Sequence, residues 1–205
     1  MSEWRDFKLD EVCDEIVDCV NKTAPKVNYE TPYKMVRTTN VRDGRINLSN
    51  VNHVTKETYQ KWTRRSIPQK DDVILTREAP LGEVGIITTD EKVFLGQRLM
   101  QYRANNRKVD PKFLYYSLRG PFLQNQMKAH EGSGSTVSHI RVPDAKRFKI
   151  KLPPMDIQNK ITSILWSIDK KIETNTKINH TLEQIAMTLY KHWLLILDHS
   201  RTVSL

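Results

Sequence analysis

An uninterrupted heptad pattern in the last quarter of the chain constrains the fold more than any other feature. Apolar side chains recur at steps of three and four residues from Ile161 to Ile196, and no glycine or proline interrupts them. The pattern predicts a helix from about residue 156 to 197, roughly 60 Å long at 1.5 Å per residue. Such a helix cannot bury its apolar stripe against a small domain, so we expect a partner helix. The predicted seam comprises Ile161, Leu165, Ile168, Ile172, Asn175, Asn179, Leu182, Leu189 and Trp193.

Two asparagines, Asn175 and Asn179, lie on this seam close to the middle of the predicted helix. If two identical helices pair in antiparallel fashion, their midpoints coincide and the polar layers face each other. A buried asparagine lowers stability but fixes register and orientation. In a parallel pair each asparagine would face its own counterpart, so that arrangement stays open. A hairpin of the helix on its own domain is disfavoured because the run contains no turn signal.

The charge of the chain is distributed unevenly. Lysine and arginine total 33 against 24 aspartate and glutamate, a net charge of +9. Residues 1–20 carry a net charge of −5, residues 21–150 carry +12 and residues 151–205 carry +2. The excess in residues 21–150 is typical of proteins that neutralise phosphates, although a merely soluble basic surface is the alternative. With no apolar run near the roughly 20 residues that cross a bilayer and no signal peptide, we expect a cytoplasmic protein without membrane contact.

The remaining residues show mostly strand patterns. Residues 9–20 have helical spacing, residues 111–127 predict another helix, and Asp43-Gly44 predicts a turn. We therefore predict an α/β (α+β) domain with a mixed, twisted sheet and peripheral helices, followed by one long coiled-coil-forming helix. The predicted strands cover residues 33–39, 71–76, 84–88, 99–102 and 148–152, and Pro153-Pro154 ends the last one. The predicted boundaries are 1–152 for a recognition domain, 153–199 for the helix and 200–205 for a tail.

Several motifs resemble those of type I restriction-modification specificity subunits. The run Lys151-Leu-Pro-Pro-Met-Asp-Ile-Gln, followed by an isoleucine-rich helix with a central asparagine, is similar to the conserved helical region of that family. Three segments before this region are also similar to the family and occur in the family's order. They are Trp4-Arg-Asp-Phe-Lys-Leu, Asp72-Val-Ile-Leu-Thr-Arg before Gly82-x-x-Gly85, and Gly134-Ser-Thr-Val-Ser-His-Ile. Two departures from the family pattern concern turns. The glycine that the family usually has in the turn after the first helix is missing from the residues that follow Asp18. Asp71 stands where the family usually has a glycine, directly before Asp72.

The resemblance implies a non-catalytic subunit whose target recognition domain reads one half of a bipartite double-stranded DNA sequence. It further implies that the helix acts as a rigid spacer that docks methyltransferase (modification) subunits and, through them, the restriction subunit. No metal and no intrinsic cofactor are expected, since S-adenosylmethionine would bind only the methyltransferase. One recognition domain with one helix resembles a half-subunit, which would pair with a second copy or with another half-subunit.

Candidate DNA contacts follow from side-chain geometry. Arginine forks suit guanine, and asparagine or glutamine amides suit adenine, whereas other cations position the protein on phosphates. The base-reading candidates are Arg77, Gln97, Arg98, Ser133, Ser135, Thr136, His139 and Arg141. The phosphate candidates are Lys34, Arg37, Lys61, Arg64, Arg65 and Lys128. An ordinary solvated charge is the alternative for each of them.

Other functions are less well supported by the sequence. It contains no glycine-rich nucleotide loop, no Gly-Lys-Ser phosphate loop and no nucleophile elbow. A nuclease motif can be assembled only from Pro143-Asp144 and Asp169-Lys-Lys171, and the second half falls in the predicted long helix. The main alternatives are a coiled-coil adaptor whose basic domain binds an acidic protein and a stand-alone DNA-binding protein.

Overall fold

A computed structural model describes residues 3–129 and 139–202, with side chains described as far as residue 194. The strands are β1 Arg5–Lys8, β2 Cys13–Asp18, β3 Tyr33–Val36, β4 Val41–Arg42, β5 Arg45–Ile46, β6 Asn52–His53, β7 Val73–Thr76, β8 Val84–Ile86, β9 Lys92–Leu95, β10 Leu99–Ala104 and β11 Lys149–Leu152. The helices are α1 Leu9–Val12, α2 Lys56–Trp62, α3 Pro111–Arg119, α4 Pro121–Lys128, α5 Val142–Arg147 and α6 Met155–Thr202. The predicted α+β class with a long C-terminal helix is confirmed.

The strands form several small sheets. A four-stranded antiparallel sheet has the order β2-β10-β7-β8, and a three-stranded mixed sheet has the order β6-β3-β9 with β3 parallel to β9. The hairpin β4-β5 turns through Asp43 and Gly44, whose φ angles of 50° and 80° are those that a two-residue hairpin loop requires. The predicted turn at this site is therefore confirmed.

The core lies between these two sheets and on their outer faces. Val36 and Leu95 of the mixed sheet pack with Ile74 and Leu99 of the antiparallel sheet. Because side chains alternate along a strand, the neighbouring Met35 and Phe94 point to the opposite face, where Tyr59 of α2 joins them. Helix α3 contacts β7, β8 and β10 and buries Leu114 and Leu118.

The segment predicted as one helix over residues 9–20 is a short helix followed by a strand. Helix α1 ends at Val12, and β2 then pairs with β10 through Met100↔Asp18 and Tyr102↔Ile16. The helical prediction was wrong beyond Val12 because pairing with β10, about 85 residues away in sequence, outweighs a local helical period.

The helix predicted over residues 111–127 is interrupted. Helix α3 ends at Arg119 and α4 begins at Pro121, with Gly120 between them. Pro121 has no backbone N–H and its ring clashes with the preceding turn, so the two helices cannot continue as one.

Helix α6 contains the predicted helix and is longer at both ends. Tertiary contacts divide the chain into a unit that ends at Thr162 and another that begins at Ser163, whereas the predicted boundary lay after residue 152. The first turns of α6 belong to the earlier unit. Gln158 in these turns is only 1% exposed, and its side chain forms hydrogen bonds with three backbone groups of that unit. Across the described residues, no helix is long and apolar enough to span a bilayer.

Replacing Gln158 by leucine is expected to lower the free energy of unfolding by about 2 kcal/mol. Its Oε1 accepts from the Asp110 amide at 2.9 Å, and its Nε2 donates to the carbonyls of Pro153 at 2.9 Å and Lys108 at 3.3 Å. Leucine would leave these buried and partly buried groups without the partners that Gln158 supplies. Urea unfolding measures the effect, and Gln184→Leu on the exposed part of α6 is the matched control. A loss no larger than that of the control would contradict the role assigned to Gln158.

Candidate nucleic-acid interface

One end of the four-stranded sheet brings together segments that are distant in sequence. Strand β10 lies between β2 and β7 and is antiparallel to both, so its start adjoins their ends. The residues that meet there follow from the pairs Met100↔Asp18 and Leu99↔Thr76. Arginine and histidine candidates from three loops therefore share one sheet end.

Backbone hydrogen bonds join these loops to one another. The Arg77 amide donates to the Arg98 carbonyl at 2.8 Å, and the Ile140 amide donates to the Arg77 carbonyl at 3.2 Å. The Gly96 amide donates to the Val36 carbonyl at 2.7 Å, which brings the end of β3 to the same place. The loops are thus held at fixed positions relative to each other.

Six side chains form a connected group at this end, which we call the sheet-end cluster. Its members are Asp18, Arg65, Arg77, Glu78, Arg98 and His139.

Asp18 pairs with Arg65 and, through Oδ2, with Arg77 Nη1 at 3.4 Å. Arg77 Nη2 lies 3.4 Å from His139 Nε2, His139 Nδ1 contacts Glu78, and Glu78 Oε2 lies 3.3 Å from Arg98 Nε. Each of the two carboxylates is shared between two partners, and the contact between Arg77 and His139 joins the two halves of the group.

Exposure divides the arginines of the cluster into two kinds. The side chain of Arg77 is 12% exposed, and its Nε is buried without a hydrogen-bond partner among the described residues. The side chains of Arg98 and Arg65 are 56% and 49% exposed. Arg77 therefore lies inside the cluster as a connecting residue, whereas Arg98 and Arg65 face solvent.

The other base-reading candidates are placed as follows. Gln97 is exposed next to Arg98, and its Oε1 accepts from Thr23 Oγ1 at 3.3 Å. Arg141 precedes α5, and its Nε bonds Asp144 Oδ2 at 2.8 Å. The predicted contacts Ser133, Ser135 and Thr136 lie outside the described residues.

Four of the phosphate candidates lie near this sheet end. Lys61 is in the last turn of α2 with its Nζ 5.8 Å from the Trp62 ring centroid, and exposed Arg64 follows the helix, next to Arg65 of the cluster. Arg37 follows β3, and its Nη2 donates to the Asn50 carbonyl at 3.3 Å.

The remaining two phosphate candidates are separate from the cluster. Lys34 pairs with Glu91 near the start of β3, and Lys128 ends α4. The six predicted phosphate candidates therefore do not all belong to one group in the structure.

A buried network fixes the loop that carries Arg64 and Arg65. Asp72, 2% exposed, accepts two hydrogen bonds from Arg103 at 2.9 and 2.8 Å and one from Gln101 at 2.9 Å. Burial raises the pKa of the Asp72 carboxyl, and the hydrogen bonds from Arg103 oppose that shift. Arg103 also donates to the Ile67 carbonyl at 2.8 Å, and Gln101 donates to Ser66 at 2.9 Å. The network thereby ties the loop to β7 and β10.

The sequence did not single out the carboxylates of the cluster. Asp18 was one of seven acids in the first 20 residues, and Glu78 followed a more conspicuous arginine.

Within the described part of the chain, no three histidine, cysteine, aspartate or glutamate side chains lie close enough to hold a metal ion.

The unit that begins at Ser163 leaves its apolar seam uncovered. Leu165, Ile168, Ile172, Leu182, Leu189 and Trp193 are all exposed, and Asn175 and Asn179 are exposed between them. Ile161, in the earlier unit, is partly buried. Glu173 pairs with Lys170 at 2.9 Å and Lys177 at 2.8 Å beside the seam. The exposed stripe follows the heptad positions predicted from the sequence.

Comparison with known proteins identifies the family to which the chain is related. The type I restriction enzyme HindI specificity subunit of Haemophilus influenzae is 26% identical over 208 residues, which cover 98% of this chain and 43% of that subunit. The MjaIX specificity subunit of Methanocaldococcus jannaschii is 29% identical over 141 residues, 69% of this chain and 32% of that subunit. The HsdS subunit from Thermoanaerobacter tengcongensis has a similar fold, with a TM-score of 0.61 at 19% identity over 83% of this chain and 43% of that one.

The chain spans less than half the length of these relatives. The family model of the type I restriction modification DNA specificity domain matches residues 1–184, which include the sheet-end cluster and most of α6. The chain therefore belongs to the family of type I restriction-modification specificity subunits.

Proposed function

We propose that this chain is the non-catalytic subunit that reads one half-site of a bipartite DNA target. The observation that carries the proposal is the sheet-end cluster, in which arginine forks and a histidine from separate loops meet on a basic domain. Arginine forks are the side chains best suited to guanine in the major groove. Arg98 and His139 of this cluster, together with the neighbouring Gln97, are the proposed base-reading residues.

The positioning of the domain on DNA is assigned to nearby cations. Lys61, Arg64 and Arg65 lie at and after the end of α2, and Arg37 lies at the end of β3. Contacts from such residues to phosphates fix register on the duplex without reading sequence. They would also make affinity dependent on salt.

The second half-site would be read by a second copy of the chain or by another half-subunit. The exposed seam of α6 supports this pairing, because an apolar stripe of that length in water favours association. An antiparallel pair would bring the central Asn175 and Asn179 layers together and fix the register. Two-fold symmetry of a homodimer would then require two identical half-sites in inverted order.

The remaining parts of the proposal concern the assembled enzyme. Methyltransferase subunits would dock on the paired helices and bind S-adenosylmethionine, and the restriction subunit would join through them. The assembly would act in the cytoplasm. No methyl transfer or DNA cleavage is assigned to the residues of this chain.

Sequencing of modified bases in cells that make this chain together with a type I methyltransferase subunit tests the function. We expect one interrupted palindromic methylation motif, because a homodimer presents the same reading surface twice. An asymmetric motif would mean that the chain pairs with a different half-subunit. Cells without the chain are the control, and an unchanged set of methylated sites would contradict the proposal.

A further inference from the structure

Two carboxylates lie at the end of the sheet assigned to DNA, where like charge would repel phosphates. Asp18 and Glu78 each contact two partners of the sheet-end cluster. The side chain of Glu78 is only 18% exposed, so its charge faces these partners more than solvent. Its position between two base-reading candidates indicates a role in orienting them.

The contact between Glu78 and Arg98 is closest at the Nε atom of the guanidinium group. Glu78 Oε2 lies 3.3 Å from Arg98 Nε, the shortest distance of this ion pair. The terminal nitrogens of an arginine can form the fork that pairs with the O6 and N7 atoms of guanine. The carboxylate can therefore hold the arginine while the reading end of its side chain points elsewhere.

The backbone of Arg98 restricts its direction further. Arg98 has a φ of 68°, a left-handed conformation that side-chain-bearing residues rarely adopt, and its carbonyl accepts from the Arg77 amide at 2.8 Å. A residue held in such a conformation is fixed by its surroundings. The ion pair with Glu78 extends this fixation from the backbone to the guanidinium group.

The second partner, His139, is oriented by its hydrogen bonds. Arg77 Nη2 can only donate, so His139 Nε2, 3.4 Å away, is the acceptor of this contact. On the other side of the ring, His139 Nδ1 contacts Glu78. Glu78 therefore fixes the orientation of the His139 ring as well as the direction of Arg98.

We propose that Glu78 is a specificity-determining positioning residue, which aims Arg98 and His139 at base edges and away from phosphates. The inference rests on the proposed function and adds a residue that acts through others. Without the carboxylate, the Arg98 side chain would be free to reach the phosphate backbone. Sequence preference would then fall while affinity for random DNA rises.

Selection from a pool of randomised duplexes, performed with the full chain, provides the probes. The most enriched duplex and a scrambled one of equal length are then titrated at several salt concentrations. For Glu78→Gln we expect the ratio of selected to scrambled affinity to fall roughly tenfold, the range of one arginine–guanine contact. Binding to the scrambled duplex should strengthen, with a salt dependence steeper by about one phosphate contact.

A matched control removes another carboxylate that pairs with a candidate cation. Glu91→Gln frees Lys34, away from the cluster, and should strengthen binding to both duplexes with little change in their ratio. Arg98→Lys keeps the charge but not the fork, so it should lower the ratio without changing the salt dependence. This variant decides the question if Glu78→Gln does not fold by circular dichroism.

The outcomes separate the inference from the function on which it rests. An unchanged ratio in folded Glu78→Gln, an unchanged ratio in Arg98→Lys, or an equal loss in Glu91→Gln overturns the role of Glu78 while leaving the function intact. If the unsubstituted chain enriches no sequence, the proposed function fails and the inference fails with it.

Discussion

Ile172→Asp is expected to convert the proposed dimer of this chain into a monomer at micromolar concentration. Ile172 lies on the exposed seam of α6, and a charge there would be desolvated in the helix pair without a partner. Sedimentation equilibrium measures the association. Affinity for a duplex with two inverted half-sites should fall about 100-fold or more, because linked binding of two domains is lost.

Gln184→Asp is the control for this substitution. Gln184 occupies the heptad position opposite the seam, so the same charge should leave the dimer intact. Circular dichroism should show that the folded unit ending at Thr162 is preserved in both variants. Equal effects of the two substitutions, or a monomeric unsubstituted chain, would rule out the pairing of two copies of this chain through the seam.

Arg103→Met is expected to lower the free energy of unfolding by about 3 kcal/mol, because it leaves a buried carboxylate without a countercharge. Arg103 holds Asp72 by two hydrogen bonds and also pairs with Glu15 at 3.0 Å. Urea unfolding monitored by tryptophan fluorescence measures the loss. Because the same network holds the loop with Arg64 and Arg65, DNA affinity should weaken as well.

Two further variants identify the cause of this loss. Asp72→Asn combined with Arg103→Met removes both charges and should restore part of the stability, which a general loss of packing would not explain. Arg107→Met makes the same exchange at an exposed residue beyond β10 and should change stability little. A loss at Arg103 no larger than at Arg107 would refute the structural role of the pair.

The sequence predicts those parts of the fold that depend on neighbouring residues. The pattern that predicts helix α6 is local, since its apolar residues recur every three or four positions. The pattern that predicts the Asp43-Gly44 turn involves only two adjacent residues. Strand β2 was not predicted correctly, because Leu9, Val12 and Ile16 satisfy a helical period while pairing with β10 joins residues about 85 positions apart. The residue pattern of one segment does not indicate which distant strand it will pair with.

The candidate site was likewise predicted only in part. Arg77, Arg98 and His139 could be named because their side-chain chemistry suits DNA, and the structure brings them together. That Arg77 is the buried connector and Arg98 the exposed fork depends on the pairing of β10 with β2 and β7. Their contacts with DNA stay predictions.

The short pairing of β1 with β11 has a consequence for how such domains evolve. Arg5 is paired with Leu152 across this two-stranded sheet, so β1 lies beside the strand that directly precedes α6. A domain whose ends meet can be inserted into a longer chain, or replaced by another, with little strain on its surroundings. The β1-β11 strip would let the segment between these strands be exchanged as one continuous piece, and the proposed DNA specificity would be transferred with it.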